Sequence, residues 1–93
     1  MVILISSKHT FTYAGAKVSI YHANKGEGLP MHSHEYSHAT ACMNGSLKIT
    51  QEDKFVIVDK YSIPVNLLAG KLHEIEALED ETVFVNVFAE GMI

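Results

Sequence analysis

Apolar and polar side chains recur along this chain in short, punctuated runs, and no stretch of eleven or more residues carries apolar side chains at helical spacing. Five runs have the β-branched and aromatic content of strands: Lys17 to Ala23, Ala39 to Met43, Ser46 to Thr50, Phe55 to Asp59 and Thr82 to Phe88. In the last of these Val83, Val85 and Val87 form one face while Phe84, Asn86 and Phe88 form the other. Between the runs lie turn signals. Asn24 to Pro30 holds two glycines and a proline, Asn44-Gly45 predicts a hairpin, Glu52-Asp53-Lys54 is a polar reversal, and Leu78 to Glu81 separates one run from the next. About eight short strands with such turns predict an all-β domain, an antiparallel barrel or jelly roll, because closure or double layering removes exposed edges. An open sandwich with no interior site is the alternative.

Length sets the scale of the core. The 93 residues, 47% of them hydrophobic, fit one domain spanning 1–93. A chain of this size buries only about 60–70% of its unfolded surface, so a bound metal or a second subunit would add useful stability. Seven lysines, no arginine and eleven acidic residues spread along the chain give a formal charge of −4, which argues against nucleic acid as a partner. The lone Cys42 excludes an internal disulfide and fits a reducing compartment. The apolar run Val2 to Ile5 is too short for a signal-peptide core or a membrane span. The expectation is a soluble, cytoplasmic protein with no membrane association.

The chemistry lies in the histidines. Residues two apart in a strand face the same way, about 6.5–7 Å apart, so His32 and His34 are expected to project from one face and converge on one ion through bonds of about 2.0–2.1 Å. His38 lies four residues on, at the entry to the next apolar run, and strand parity would aim it to the same side together with Thr40 and Cys42. His73 follows a glycine in Ala69-Gly70-Lys71-Leu72-His73 and is expected to start a strand that lies beside an earlier one. Four buried rings with unsatisfied nitrogens would cost about 1–3 kcal/mol each in a domain whose whole stability is about 5–15 kcal/mol. A divalent transition metal turns that liability into bonding. His9 and His22, by contrast, read as surface or hydrogen-bonded residues.

The spacing of these residues resembles that of the cupin superfamily. Its first motif, a glycine, five residues, His-x-His, three or four residues, a glutamate, six residues and a glycine, is matched by Gly26, His32-Ser33-His34, His38 and Gly45, with His38 in the glutamate position. Its second motif, Pro-x-Gly-x-x-His, is matched at Gly70 and His73, with Leu68 in place of the proline and Ala77 where an asparagine sometimes follows. The resemblance covers about residues 18 to 88 and is greatest to small single-domain cupins with an all-histidine site. It implies a jelly-roll barrel, or double-stranded β-helix, with a metal inside, commonly assembled as a homodimer through an edge strand. Met1 to Ile5 is the candidate for that edge.

Replacing glutamate by His38 leaves the ion its full charge and favours anionic ligands. Imidazole suits Zn, Cu, Fe and Ni, and less selectively Mn. An octahedral ion would keep two positions open, whereas a tetrahedral zinc would be closed. The leading expectation is therefore an enzyme binding a small oxygen-rich, chelating substrate and promoting dioxygenation, isomerisation or elimination. The rivals are a non-catalytic metal- or metabolite-sensing module and a barrel that keeps its ligands only as scaffold. Further pocket candidates are Tyr36 on the bend between ligands, Thr40 and Cys42 by parity, and Asn86, which could bond a ligand or a metal-bound histidine; a packed aromatic for Tyr36, a small apolar filler for Cys42 and a structural role for Asn86 are the plain alternatives.

Overall fold

The computed structural model describes residues 1–89 as ten strands and, among those residues, no helix. In chain order they are β1 (Ile3–Leu4), β2 (His9–Tyr13), β3 (Ala16–Ala23), β4 (Glu27–His32), β5 (His38–Asn44), β6 (Ser46–Gln51), β7 (Lys54–Asp59), β8 (Val65–Leu67), β9 (His73–Ala77) and β10 (Thr82–Phe88). Two five-stranded sheets face each other, one in the order β1-β4-β9-β6-β7 and the other β2-β3-β10-β5-β8. From β3 to β6 the chain changes sheet at every connection, as it does again from β7 to β10, which is the jelly-roll path. All pairs are antiparallel except β1 with β4, which is parallel and two residues long.

All five runs expected as strands are strands. The alternation in β10 holds to the residue, with Thr82, Phe84, Asn86 and Phe88 buried and Val83, Val85 and Val87 on the other side. His38, Thr40 and Cys42 likewise point inward from β5. The polar reversal at Glu52 and Asp53 joins β6 to β7, with Gln51 opposite Lys54.

Two turn expectations are corrected. The segment Asn24 to Pro30 is not one loop, because Glu27–His32 forms β4. Gly28 is there for close approach: a Cβ would strike the Ile75 carbonyl of β9. Pro30 falls at a register shift between Leu29 and His32, past the two residues that β1 covers, where its missing N–H breaks no ladder. The Asn44-Gly45 pair is not a hairpin either. A type I′ turn needs positive φ at both central residues, and only Gly45 has it, at 74°. The result is a corner that sends β5 and β6 into opposite sheets, with Gly45 packed so tightly on Thr82 that no side chain fits.

Between the sheets Ala23, Cys42, Leu47, Ile49, Val58, Leu67, Ile75, Ala77 and Phe84 form one core. Tyr21 closes it from β3, stacked on Phe84 with ring centroids 4.8 Å apart. No helix among the described residues is long and apolar enough to cross a membrane.

Candidate metal centre

The four histidines come from three strand ends and one loop at the same end of the barrel. His32 closes β4 and His73 opens β9, and the two are direct register partners. The expectation that a single strand carries both His32 and His34 is corrected: β4 stops at His32, and His34 lies in the connection to β5. It is positioned by other means. Its carbonyl accepts the Gly70 N–H at 2.8 Å, its ring stacks on Tyr36 at 4.3 Å, and next to it the Ser37 hydroxyl oxygen accepts the Ala69 N–H at 2.9 Å. The two motif segments are thus tied to each other by one backbone–backbone bond and one to the Ser37 side chain. His38 opens β5, opposite Leu67 of β8 and Phe88 of β10.

These placements bring the rings together. Centroids of His32, His34 and His73 are 4.4–5.4 Å apart, and one ligand nitrogen from each lies within 4.8 Å of the others. His38 borders the group, 5.1 Å from His34 and 5.5 Å from His73 between centroids, without belonging to that nitrogen triad. His73 and His38 are buried; His32 and His34 are half-buried and give the cluster a side toward solvent.

The proton inventory of the rings decides which nitrogen is available. His32 Nδ1 is 2.7 Å from the Pro30 carbonyl, His34 Nδ1 is 2.6 Å from that of Tyr36, and His73 Nδ1 is 3.1 Å from that of Lys71. A carbonyl oxygen only accepts, so each Nδ1 carries the proton and donates it. Every Nε2 is then a bare lone pair. His32 Nε2 and His73 Nε2 stand 3.1 Å apart, two acceptors with no proton between neutral rings. A second proton on the His73 ring is disfavoured, since burial, with the nearby His32 and His34 rings adding to it, pushes the His73 pKa down to about 4. Burial, reinforced by His34 and His73, does the same to His38, also to about 4. Two nitrogens bonded to one ion at about 2.0–2.1 Å stand roughly 2.8–3.4 Å apart for angles between square and tetrahedral. The observed separation falls in that range, so three histidines of this site could hold a metal ion.

The other sequence candidates divide. Tyr36 and Phe88 form an aromatic wall, their centroids 5.4 Å apart, with Phe88 also 4.9 Å from His38. Thr40 donates its hydroxyl proton to Asn86 Oδ1 at 2.6 Å and stands 3.3 Å from His38 Nδ1, so Thr40 lies against that ring and Asn86 stands behind Thr40. Cys42 does not: it sits in the apolar core, about 13 Å further along β5 from His38, with Sγ against the Asn44 and Gly45 carbonyls at 3.3 and 3.6 Å. Burial pushes its thiol pKa up, which suits a core filler. Tyr21 went unremarked in the sequence. Its ring stacks on Phe84, and burial raises the pKa of its hydroxyl. The signal was available, as Tyr21 shares strand parity with the buried Ser19 and Ala23.

No family model matches the chain, and no curated protein matches it. Solved structures do. KdgF from Halomonas sp. superposes with a TM-score of 0.75 over 84% of this chain and 72% of its own, at 14% identity. A cupin protein from Bacteroides fragilis gives 0.67 over 87% and 71%, at 22% identity. A cupin-2 domain protein from Shewanella frigidimarina gives 0.68 over 88% and 81%, at 13% identity. With two facing sheets, the jelly-roll path and these likenesses together, the chain has the cupin, or double-stranded β-helix, fold.

Proposed function

We propose that this protein binds one divalent transition metal through His32, His34, His73 and His38, and acts as an enzyme on a small oxygen-rich, chelating or anionic substrate. The observation that carries the reading is the commitment of three Nδ1 protons to backbone carbonyls, which leaves the Nε2 lone pairs for a ligand, those of His32 and His73 3.1 Å apart, in a cluster that brings one ring nitrogen of each histidine within 4.8 Å of the others. When bound, the ion would supply Lewis-acid or redox chemistry suited to dioxygenation, isomerisation or elimination. Zn, Ni, Fe, Mn and Cu all accept imidazole. Tyr36 and Phe88 exclude water along one wall, and the half-buried His32 and His34 leave an approach for a ligand. A second reading, a non-catalytic metal- or metabolite-binding module, draws on Thr40 and Asn86, whose hydrogen bonds are made to each other and to the His38 ring, which leaves neither hydroxyl nor amide oxygen free as an acid or base. We place the protein in the cytoplasm on its lone, buried thiol, and as a homodimer on its edge β1, where Ile3 and Leu4 are 61% and 70% exposed. Light scattering during size exclusion should give twice the chain mass.

The metal reading is tested by elemental analysis of untagged protein and by Co²⁺ titration against a chelator. His34→Ala should weaken binding by about 10- to 100-fold or more, while His22→Ala leaves it unchanged. Equal losses from both, or no metal bound by the parent chain, defeat the reading. Small diacids, diketones or keto sugars that alter the Co²⁺ spectrum, with turnover of one of them, favour the enzyme; ligand-induced change without turnover favours the module.

A further inference from the structure

The ring of His38 is supported differently from the other three. Where His32, His34 and His73 give their Nδ1 protons to backbone carbonyls, His38 Nδ1 faces a side-chain hydroxyl, that of Thr40, at 3.3 Å. A threonine has one proton to give, and Thr40 is 2.6 Å from Asn86 Oδ1, an oxygen that only accepts. Thr40 therefore donates to Asn86, and its oxygen is left as an acceptor at the contact with His38. The proton of that contact has to come from His38 Nδ1. The chain runs in one direction, from His38 through Thr40 to Asn86. Thr40, Asn86 and His38 are 0%, 2% and 5% exposed, so water does not substitute for a missing member.

We propose that Thr40 and Asn86 are positioning residues that keep the His38 proton on Nδ1 and so leave its Nε2 free to serve as the fourth ligand beside His32, His34 and His73. This deepens the metal-binding reading above and rests on it for the ligand role, while the proton's location stands without any metal. The register makes the pair possible: Asn86 is opposite Thr40 and Phe88 opposite His38 in the β10–β5 ladder, so two inward side chains of neighbouring strands meet, and Thr40 links the pair to the ring.

The experiment uses the metal-free full chain with ¹⁵N-labelled histidine near neutral pH. Long-range ¹H–¹⁵N correlation should report His38 as the Nδ1–H tautomer, and Thr40→Val should abolish that preference. In Co²⁺ titration against a chelator, Thr40→Val should weaken binding by about 10- to 100-fold, whereas Thr40→Ser, which keeps the hydroxyl, stays within about threefold of the parent. An Nε2–H tautomer in the parent chain overturns the proposal. So does a Thr40→Val protein that binds Co²⁺ like the parent, or a Thr40→Ser protein that loses as much as Thr40→Val, which would make packing the cause. Should Thr40→Val fail to fold, the tautomer of the parent decides. Should the parent bind no metal while showing the Nδ1–H tautomer, the metal reading and the ligand role fall together and only the proton's location survives.

Discussion

Three strands that line the interior change character half-way along. β5 begins with His38 and Thr40 and continues to Cys42; β9 begins with His73 and continues to Ile75 and Ala77; β10 begins with Thr82 and Phe84 and ends with Asn86 and Phe88. Because β5 and β9 start where β10 ends, His38, Thr40, His73 and Asn86 collect at one end of the barrel, where Phe88 is the apolar member, and the other end is apolar apart from Thr82. Both ends are buried, and they are stabilised by opposite means. The apolar end gains about 25 cal/mol for each Å² removed from water. The polar end has to satisfy every nitrogen and hydroxyl it buries, at about 1–3 kcal/mol for each failure. One end thus holds the fold together, and the other tolerates chemistry because the first is sound.

Acid should separate the two ends most sharply. His38 and His73 have pKa values near 4 in the folded chain against about 6.5 when unfolded, since burial and neighbouring rings oppose their charge. Between those values the unfolded chain binds more protons, so stability rises with pH. For the metal-free protein the contribution is complete above about pH 6.5 and is lost progressively as pH falls toward 4. Urea midpoints measured across that window check it; a flat profile would mean the polar end is not dry.

At the apolar end Phe84→Ala should cost about 3–5 kcal/mol in chemical denaturation, because Phe84 is fully buried and stacked on Tyr21. Its effect on Co²⁺ affinity should be small if the two ends are independent, and a large one would show that they are coupled. The smallest effect is expected at Cys42. Removing the sulfur in Cys42→Ala should cost about 1 kcal/mol and leave Co²⁺ binding unaltered, which places this residue with the apolar end despite sharing parity with His38. A loss of binding would move the boundary.

Much of this division was legible in the residues. Period-two alternation identified β10 and the inward row of β5, since a strand's side-chain direction depends only on parity. The spacing of His32, His34, His38, Gly45, Gly70 and His73 pointed to one site. Harder to see was β4, because Gly28 and Pro30 carry turn chemistry in isolation and become strand residues only beside Ile75 and beyond the end of β1. The β2 edge was also missed: all five of its residues are exposed, so no burial pattern marks it.

What the amino-acid sequence determined by itself was local: which residues extend, which side of each strand they face, and that four imidazoles lie at recurring positions along the chain. What tertiary structure alone decided was non-local. It set His32 opposite His73, sent β5 and β6 to different sheets through a single left-handed glycine, and put Asn86 behind Thr40. Strand parity is a property of one segment, whereas register and proton ownership depend on which distant segments become neighbours, and that is fixed only when the sheets close.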